Sequence, residues 1–365
     1  MKDVKISNAQ LFLLLIGFVF GNTAIVNPAA AALQDSWLAF IIAWIGGLAL
    51  LGIYISISNM NPSKNLIEIL IDNFGKILGN ITAALYIWYF IHLAALVTRD
   101  FGEYMVTVMF PETPILFIIS CICITVAYVV KNGLEVIARS NELLTLAIPL
   151  LVAAIFLALI NQYNFNNLFP FLEKGVKPVL KVSFGVLAFP FGEIVAFLMI
   201  FPHLKNRKDL VKTSYFAIIA VGFMLLSVIL RDLLVLGPDM LSRVTFPPQI
   251  STELIPNITI QPFVAINLLV SGGVKIAVAT YAAVIGITQL FNLDDYKPFV
   301  LPVVAIVASL SIWVYDNIFD VFQWAAEIWA YYSVPFQILI PLLLVIISWI
   351  KKIKTQNISL KEMKE

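Results

Sequence analysis

The chain alternates long apolar blocks with short polar clusters. The first block runs from Ile6 to Gln34, 29 residues without a charge. About 20 apolar residues in a helix cross the hydrocarbon core of a bilayer. Ten blocks meet that requirement and predict ten helices, at approximately 9–33, 37–59, 79–108, 114–131, 141–161, 182–203, 212–236, 262–290, 299–316 and 333–350. The third and eighth are long enough to tilt or project beyond the bilayer. The longest linkers are 162–181 and 237–261. The second holds Pro238, Pro247, Pro248 and Pro256 around Thr252–Glu253–Leu254–Ile255, a pattern of turns with a short interfacial helix. No block of soluble composition interrupts the series, so 1–365 reads as a single transmembrane unit.

Composition agrees. Hydrophobic residues make up 61 % and charged residues 12 %, whereas a soluble domain carries about a quarter charged residues. The fold class is all-α integral membrane. A net charge of +1 leaves no nucleic-acid footprint. Lys2 and Lys5 before an apolar run, followed by Pro28–Ala29–Ala30–Ala31–Ala32–Leu33, loosely mimic a cleaved export signal, but the run exceeds the usual apolar region of one. Cys121 and Cys123 lie in an apolar run with no further ligand spacing, which predicts packing residues and no metal. Zinc-protease, nucleophile-elbow and phosphate-loop motifs are absent, so neither an enzyme nor a cofactor is expected.

Lysine and arginine set the orientation. With the N-terminus inside, sixteen of the 23 fall in cytoplasmic segments, four outside, and Arg99, Arg231 and Lys275 within or at the ends of spans. Both termini are expected in the cytoplasm.

Two spans carry interruptions. Span 1 breaks at Gly21–Asn22–Thr23, and span 6, five spans later, breaks at Pro190–Phe191–Gly192–Glu193. Matching breaks in two halves of opposite orientation are the pattern of inverted five-helix repeats, here about 9–161 and 182–350, and point to a binding site. Backbone that leaves a helix in a membrane exposes unpaired N–H and C=O groups, which persist only where protein, water or ligand satisfies them. The half-helix after the span-1 break would offer N–H groups to a carboxylate. The carbonyls before it would suit an ammonium. The alternative is a packing kink, since Gly17 and Gly21 also form a G-x-x-x-G contact motif.

Ionisable residues at membrane depth line cavities or pair with one another. Glu193 lies mid-span beside the second break, and Lys275 mid-span in span 8. They form a coupling or structural charge pair, or Lys275 takes a cation's place, or Glu193 carries a proton. Arg99, Asp100 and Glu103 near the outer end of span 3, with Arg231 and Asp232 of span 7, are candidates for an outer gate; the alternative is that they reach the headgroups. Tyr86, Tyr89 and His92 lie deeper on span 3. All three are candidate pocket walls, with His92 a packing residue or, alternatively, a proton relay, while His203 is expected at the inner interface.

The stretch "GNTAIVNPA" resembles the span-1 start of the amino acid–polyamine–organocation superfamily. More narrowly, "ISNAQLFLLLIGFVFGNTAIVNPAAAALQDSWLAF" and "FPFGEIVAFLMIFPHL" are similar to the spore germination permease family, the B subunits of nutrient germinant receptors. The resemblance covers nearly the whole chain and implies a LeuT-type fold with a 5+5 inverted repeat and broken helices 1 and 6. It implies a sensor of a small germinant, often an amino acid, in the spore inner membrane or the cell membrane, working with A and C subunits. It carries ligand binding onto Gly21, Asn22, Thr23 and Ala24 in span 1, and onto Phe189, Phe191, Gly192 and Glu193 in span 6. In related folds a sodium ion sits between spans 1 and 8, where Lys275 would stand in for it. The family's second small residue is Thr or Ala here and Asn22 intrudes, which alters the polar contacts offered. The alternatives are a proton-coupled amino acid symporter and an ion or water channel subunit gated by germinant.

Overall fold

The structure, a computed structural model, describes residues 4–256 and 260–362. Lys2 and Lys364, which contribute to the orientation argument, lie outside them. Ten apolar helical passages emerge among the described residues, eight long and two shorter (Ile115–Lys131 and Lys297–Trp313). The one β-type contact described is an isolated bridge between Ile6 and Leu204.

Ser7 starts α1 (Asn8–Phe20) with a reciprocal cap: its hydroxyl accepts from the Gln10 N–H at 3.1 Å, and the Gln10 side chain accepts from the Ser7 N–H at 2.9 Å. After Gly21 and Asn22 the chain makes a single helical turn, α2 (Thr23–Val26), and then bends at Asn27, whose φ is 46°. A tight helical segment at Ala30–Asp35 leads into α3 (Ser36–Met60). The expectation of a span continuing to residue 33 is corrected: beyond the break span 1 is one turn long. Asn27 and Pro28 stop the helix there, because a proline disfavours helical geometry in the residue before it. The broad N-terminal dipole expected to meet a ligand carboxylate is therefore reduced to that of four residues.

The amphipathic α4 (Leu66–Phe74) precedes α5 (Lys76–Tyr104) and α6 (Ile115–Lys131). Span 5 is α7 (Leu134–Thr145) followed by α8 (Ala147–Ala158), and starts seven residues ahead of the predicted 141. Glu135, Arg139 and Glu142 make its first turns look like a loop. Span 6 opens with α9 (Val176–Val186), also earlier than predicted. Span 7 is α10 (Leu210–Arg243), bent at Gly237, where φ is 75°. The short helix expected in the following linker is α11 (Pro247–Glu253). Then come α12 (Gln261–Leu290), α13 (Lys297–Trp313), α14 (Ile318–Trp324), α15 (Ala330–Val334) and α16 (Ile340–Glu362).

The tenth passage is corrected most. It is helical from Ile318 to Ile353, fifteen residues ahead of the predicted 333. Asn317 caps it through bonds from the N–H groups of Phe319 and Asp320. Polar Asp320, Gln323 and Glu327 hide this first part, and wide turns at Ala325–Trp329 and Pro335–Leu339 join its pieces.

α12 is the centre of the bundle: 89 % of its apolar window is buried, and it packs along α5 and against α1. Small residues allow this approach; a Cβ on Gly286 would stand 2.7 Å from Ile87 Cγ1. Large apolar side chains such as Phe117, Leu150, Leu157, Leu301 and Leu342 are exposed on outer helices, as lipid-facing residues are.

Candidate functional site

The break in span 1 is built from close approach. α1 ends at Phe20, and the Gly21 N–H still bonds Gly17 O at 2.9 Å. A Cβ on Gly21 would lie 3.0 Å from Phe18 O and 3.1 Å from Lys275 Cδ. The glycine thus lets the Lys275 stem of α12 cross over the break. Beyond it, the Lys275 ammonium donates to Asn22 Oδ1 at 3.1 Å and pairs with the Glu193 carboxylate. It lies 4.5 Å from the Phe189 ring centroid and 5.5 Å from that of Phe18, within cation–π range. The Asn22 amide in turn donates to Asp100 of α5.

A polar chain therefore runs Asp100–Asn22–Lys275–Glu193 across spans 3, 1, 8 and 6. Asn22, Lys275 and Glu193 are 2 %, 0 % and 1 % exposed. An isolated charge here would be costly, and pairing offsets that cost. The chain holds two carboxylates and one ammonium.

Span 6 breaks differently. A wide turn at Leu187–Phe191 follows α9, with Phe189 extended at φ −131°, ψ 109° and a cis Phe189–Pro190 bond. A tight helical stretch, Gly192–Met199, follows. The interruption is centred one residue before the predicted Pro190. Its freed groups find side chains: Gln337 Nε2 donates to Ala188 O at 3.0 Å and to the Tyr89 hydroxyl at 2.8 Å. The Tyr54 hydroxyl lies 3.0 Å from Gly192 O and 2.8 Å from Gln337 O. Gly192 is needed because a Cβ there would meet Gln337 Oε1 at 2.0 Å.

Of the predicted site residues, Gly21, Asn22, Phe189, Glu193 and Lys275 come together. Thr23 and Ala24 are buried in α2, the Thr23 hydroxyl without a partner among the described residues. Gly192 and Tyr89 converge on Gln337. Phe191 instead packs on α3, against Phe40 at 5.7 Å between ring centroids, and where a Cβ on Gly47 would stand 2.6 Å from its Cγ.

The candidate outer gate does not assemble as one cluster. Arg99 pairs with Glu103 at 2.7 Å within α5 and donates to Ser311 O at 3.0 Å. Arg231 pairs with Asp232 within α10. No described ion pair or hydrogen bond joins the two pairs, and Asp100 belongs to the span-1 break. Nor do these groups reach outward to headgroups: Arg99, Glu103, Arg231 and Asp232 are all buried. His92 sits among the rings of Trp88, Trp324, Trp329 and Tyr332. His203 Nδ1 faces Val4 O at 3.2 Å, and the backbone of Ile6 bonds His203 O and Lys205 N, tying the entry of span 1 to the exit of span 6.

Gln337, Tyr54 and Ser271, whose hydroxyl lies 3.5 Å from Gly21 O at the span-1 break, are not singled out by the sequence pattern. Gln337 had a signal, as a lone amide in an otherwise apolar run; Tyr54 and Ser271 did not. Asp100 stands out in the sequence as a charge near the outer end of span 3, but nothing in the local pattern names Asn22 as its partner.

The family profile described as "Spore germination protein" matches residues 5–321. The chain is 32 % identical to spore germination protein KB of Bacillus subtilis (strain 168) over 364 residues, 96 % of this chain and 97 % of that one. It is 25 % identical to spore germination protein YndE of the same organism, over 79 % of this chain and 82 % of that one. Among solved structures it resembles MhsT in complex with L-phenylalanine (TM-score 0.64, 15 % identity, 90 % and 88 % covered) and Mhp1, a nucleobase-cation-symport-1 family transporter, in a closed conformation (TM-score 0.68, 13 % identity, 92 % and 77 % covered). These neighbours have the LeuT fold, and so does this chain.

Proposed function

Because this chain belongs to the spore germination protein family, we propose that it is the nutrient-sensing membrane subunit of a spore germinant receptor, binding a small germinant at the breaks of spans 1 and 6. The observation that carries this reading is the buried chain Asp100–Asn22–Lys275–Glu193. It joins both breaks through the most buried helix, and it has one carboxylate more than it has ammonium groups. A ligand bearing an ammonium, such as an amino acid, would supply the balancing charge and compete with Lys275 for Glu193. MhsT, on the same fold, was solved with L-phenylalanine.

In this reading the present conformation is closed, with Lys275 and Phe189 between the breaks. Ligand would bind better to a conformation in which Lys275 has left Glu193, and would shift the population toward it. Partner A and C subunits would read that shift in the spore inner membrane, with both termini of this chain in the cytoplasm. The two repeats, about 9–161 and 182–350, would move against one another. The excess carboxylate favours one second reading, a proton-coupled amino acid symporter in which Asp100 or Glu193 carries the proton.

The test is a thermal-shift screen of purified protein against amino acids, sugars and nucleosides, repeated with Gly21→Val and Glu193→Gln. A stabilising ligand lost in both variants supports the site. Binding retained in both refutes it. Counterflow of labelled ligand in proteoliposomes would favour the symporter; binding without counterflow would favour the sensor.

A further inference from the structure

The end of the bundle away from the N-terminus carries a basic and aromatic surface that neither break uses. It is made of the linker before span 6, residues 162–181, with the first turns of α9. Of the 23 lysines and arginines, four fall in the linkers at this end, and three of those are Lys174, Lys177 and Lys181, within eight residues. Glu173 is the only acidic residue of 162–181, so the linker carries a net charge of +2. All three lysines are exposed, and among the described residues none of their ammonium groups has an ion pair or hydrogen bond. Lys177 and Lys181 are four residues apart and share one face of α9. Val176 and Leu180 beside them are also exposed, at 53 % and 51 %, as are the rings of Phe165, Phe169 and Phe171.

The backbone beneath this surface is pinned, and the run Gln34–Asp35–Ser36–Trp37 at the start of α3 supplies most of the pins. The Gln34 amide donates to Pro170 O at 3.0 Å and to the Glu173 carboxylate at 3.2 Å. The Leu172 N–H donates to Asp35 at 3.1 Å, and the Trp37 and Phe171 ring centroids lie 6.0 Å apart. From the other side, the Asn167 amide donates to Leu233 O and Leu234 O of α10 at 3.2 and 3.0 Å. A partner would therefore meet a surface that binding need not first order.

The depth of the lysines says what that partner is. Breaks like the one at Pro190 lie near the bilayer midplane. Half the hydrocarbon core is about 15 Å, or about ten residues of helix. Counting back from Pro190 reaches Leu180. Lys177 and Lys181 thus stand at headgroup depth, with Lys174 just beyond.

We propose that this surface binds the headgroup of an anionic phospholipid in the leaflet at this end. Lys177 and Lys181 would bracket the phosphate, and Lys174 would reach the same charge from the water side. A zwitterionic headgroup carries its own ammonium, so the lysines would favour the anionic lipid. A soluble anion would use the lysines alone. The exposed Leu180 at the hydrocarbon boundary, with Val176 one turn above, fits the glycerol and acyl-chain region of a lipid. The lipid would sit on the helix that runs into the span-6 break, which begins at Leu187, six residues past Lys181.

Trp37, beside Phe171, lets the site be read locally. The full-length protein is placed in phosphatidylcholine nanodiscs with phosphatidylglycerol as the minor lipid. Bromine, which quenches a nearby indole, is carried on the acyl chains of the phosphatidylglycerol or of an equal amount of phosphatidylcholine. The fluorescence of Trp37 is the difference from Trp37→Phe. Brominated phosphatidylglycerol should quench it at least about threefold more than brominated phosphatidylcholine. With Lys174→Gln, Lys177→Gln and Lys181→Gln combined, that ratio should fall to about one. The corresponding triple arginine variant should keep it. The lysines are exposed, so the glutamine variant should melt with the unaltered protein in pure phosphatidylcholine. If it melts early, Lys177→Gln alone decides, and should lower the ratio by about half. Equal quenching by the two lipids in the unaltered protein overturns the proposal, as does a preference that survives the glutamine substitutions. A preference abolished by inorganic phosphate, but not by chloride at the same ionic strength, would assign the lysines to a soluble anion and also overturn it.

Discussion

The breaks in spans 1 and 6 sit at matching places in the two halves of the bundle but are held open by different chemistry. In span 1, charge does the holding. The Lys275 stem crosses Gly21, and its ammonium binds Asn22 and Glu193. In span 6, neutral hydrogen bonds do it. Gln337 and Tyr54 take up Ala188 O and Gly192 O, and Pro190 removes one donor that would otherwise need a partner. The difference matters because a buried ion pair responds to any competing charge, while neutral side-chain bonds to backbone do not. In the proposed reading, the span-1 side is the one that a charged ligand would unlock, and the span-6 side would be the frame against which it moves.

The largest effect should come from the charged side. Lys275→Met strands Glu193, and breaking a buried pair costs about 3–5 kcal/mol. The variant should melt well below the unaltered protein and be less abundant in the membrane. Adding Glu193→Gln should restore much of the loss, as a double-mutant cycle would register. An unchanged melting temperature in Lys275→Met would remove the distinction between the two breaks.

Gln337→Leu tests the neutral side. It leaves Ala188 O and the Tyr89 hydroxyl unpaired, at a cost of about 1–3 kcal/mol, and the melting curve should not depend on Glu193→Gln. A strong coupling between positions 337 and 193 would mean that the frame belongs to the switch. Gly21→Ala should be milder than Gly192→Ala. Its Cβ meets Phe18 O and Lys275 Cδ at 3.0 and 3.1 Å, whereas the Gly192 Cβ would meet Gln337 Oε1 at 2.0 Å. Overpacking of this kind costs about 1–3 kcal/mol, with Gly21→Ala at the lower end in thermal unfolding. Thr23→Val should be smallest. The hydroxyl has no partner to lose among the described residues, so stability should stay within about 0.5 kcal/mol. If ligand affinity falls while stability holds, the hydroxyl is a ligand contact.

Much of the fold was legible from residue pattern. Membrane helices need long apolar runs, so ten passages stood out, and Gly21–Asn22 and Pro190 marked two breaks because such residues weaken a helix interior. What misled was polarity at helix ends. Glu135 and Arg139 concealed the start of span 5, and Asp320, Gln323 and Glu327 concealed fifteen residues of span 10. A helix that extends past its apolar core carries polar residues like those of a loop, and periodicity over one or two turns cannot separate the two.

The sequence by itself determined that Glu193 and Lys275 had to be buried at membrane depth, because each lies mid-span with no chain end to reach. It determined the family through the span-1 and span-6 motifs. Only the tertiary structure decided which charge meets which. Lys275 and Glu193 are 82 residues apart, and Asn22 and Asp100 are 78. Packing of α12 between α1, α5 and the broken span 6 chooses their partners, and local pattern carries no information about that choice. The same packing took Asp100 out of the candidate outer gate and left the Arg231 guanidinium beside a cavity, whereas the pairs Arg99–Glu103 and Arg231–Asp232 are each local to one helix. Side-chain patterning can say that a charge must find a partner in a low-dielectric interior; the three-dimensional arrangement of the helices says which one it finds.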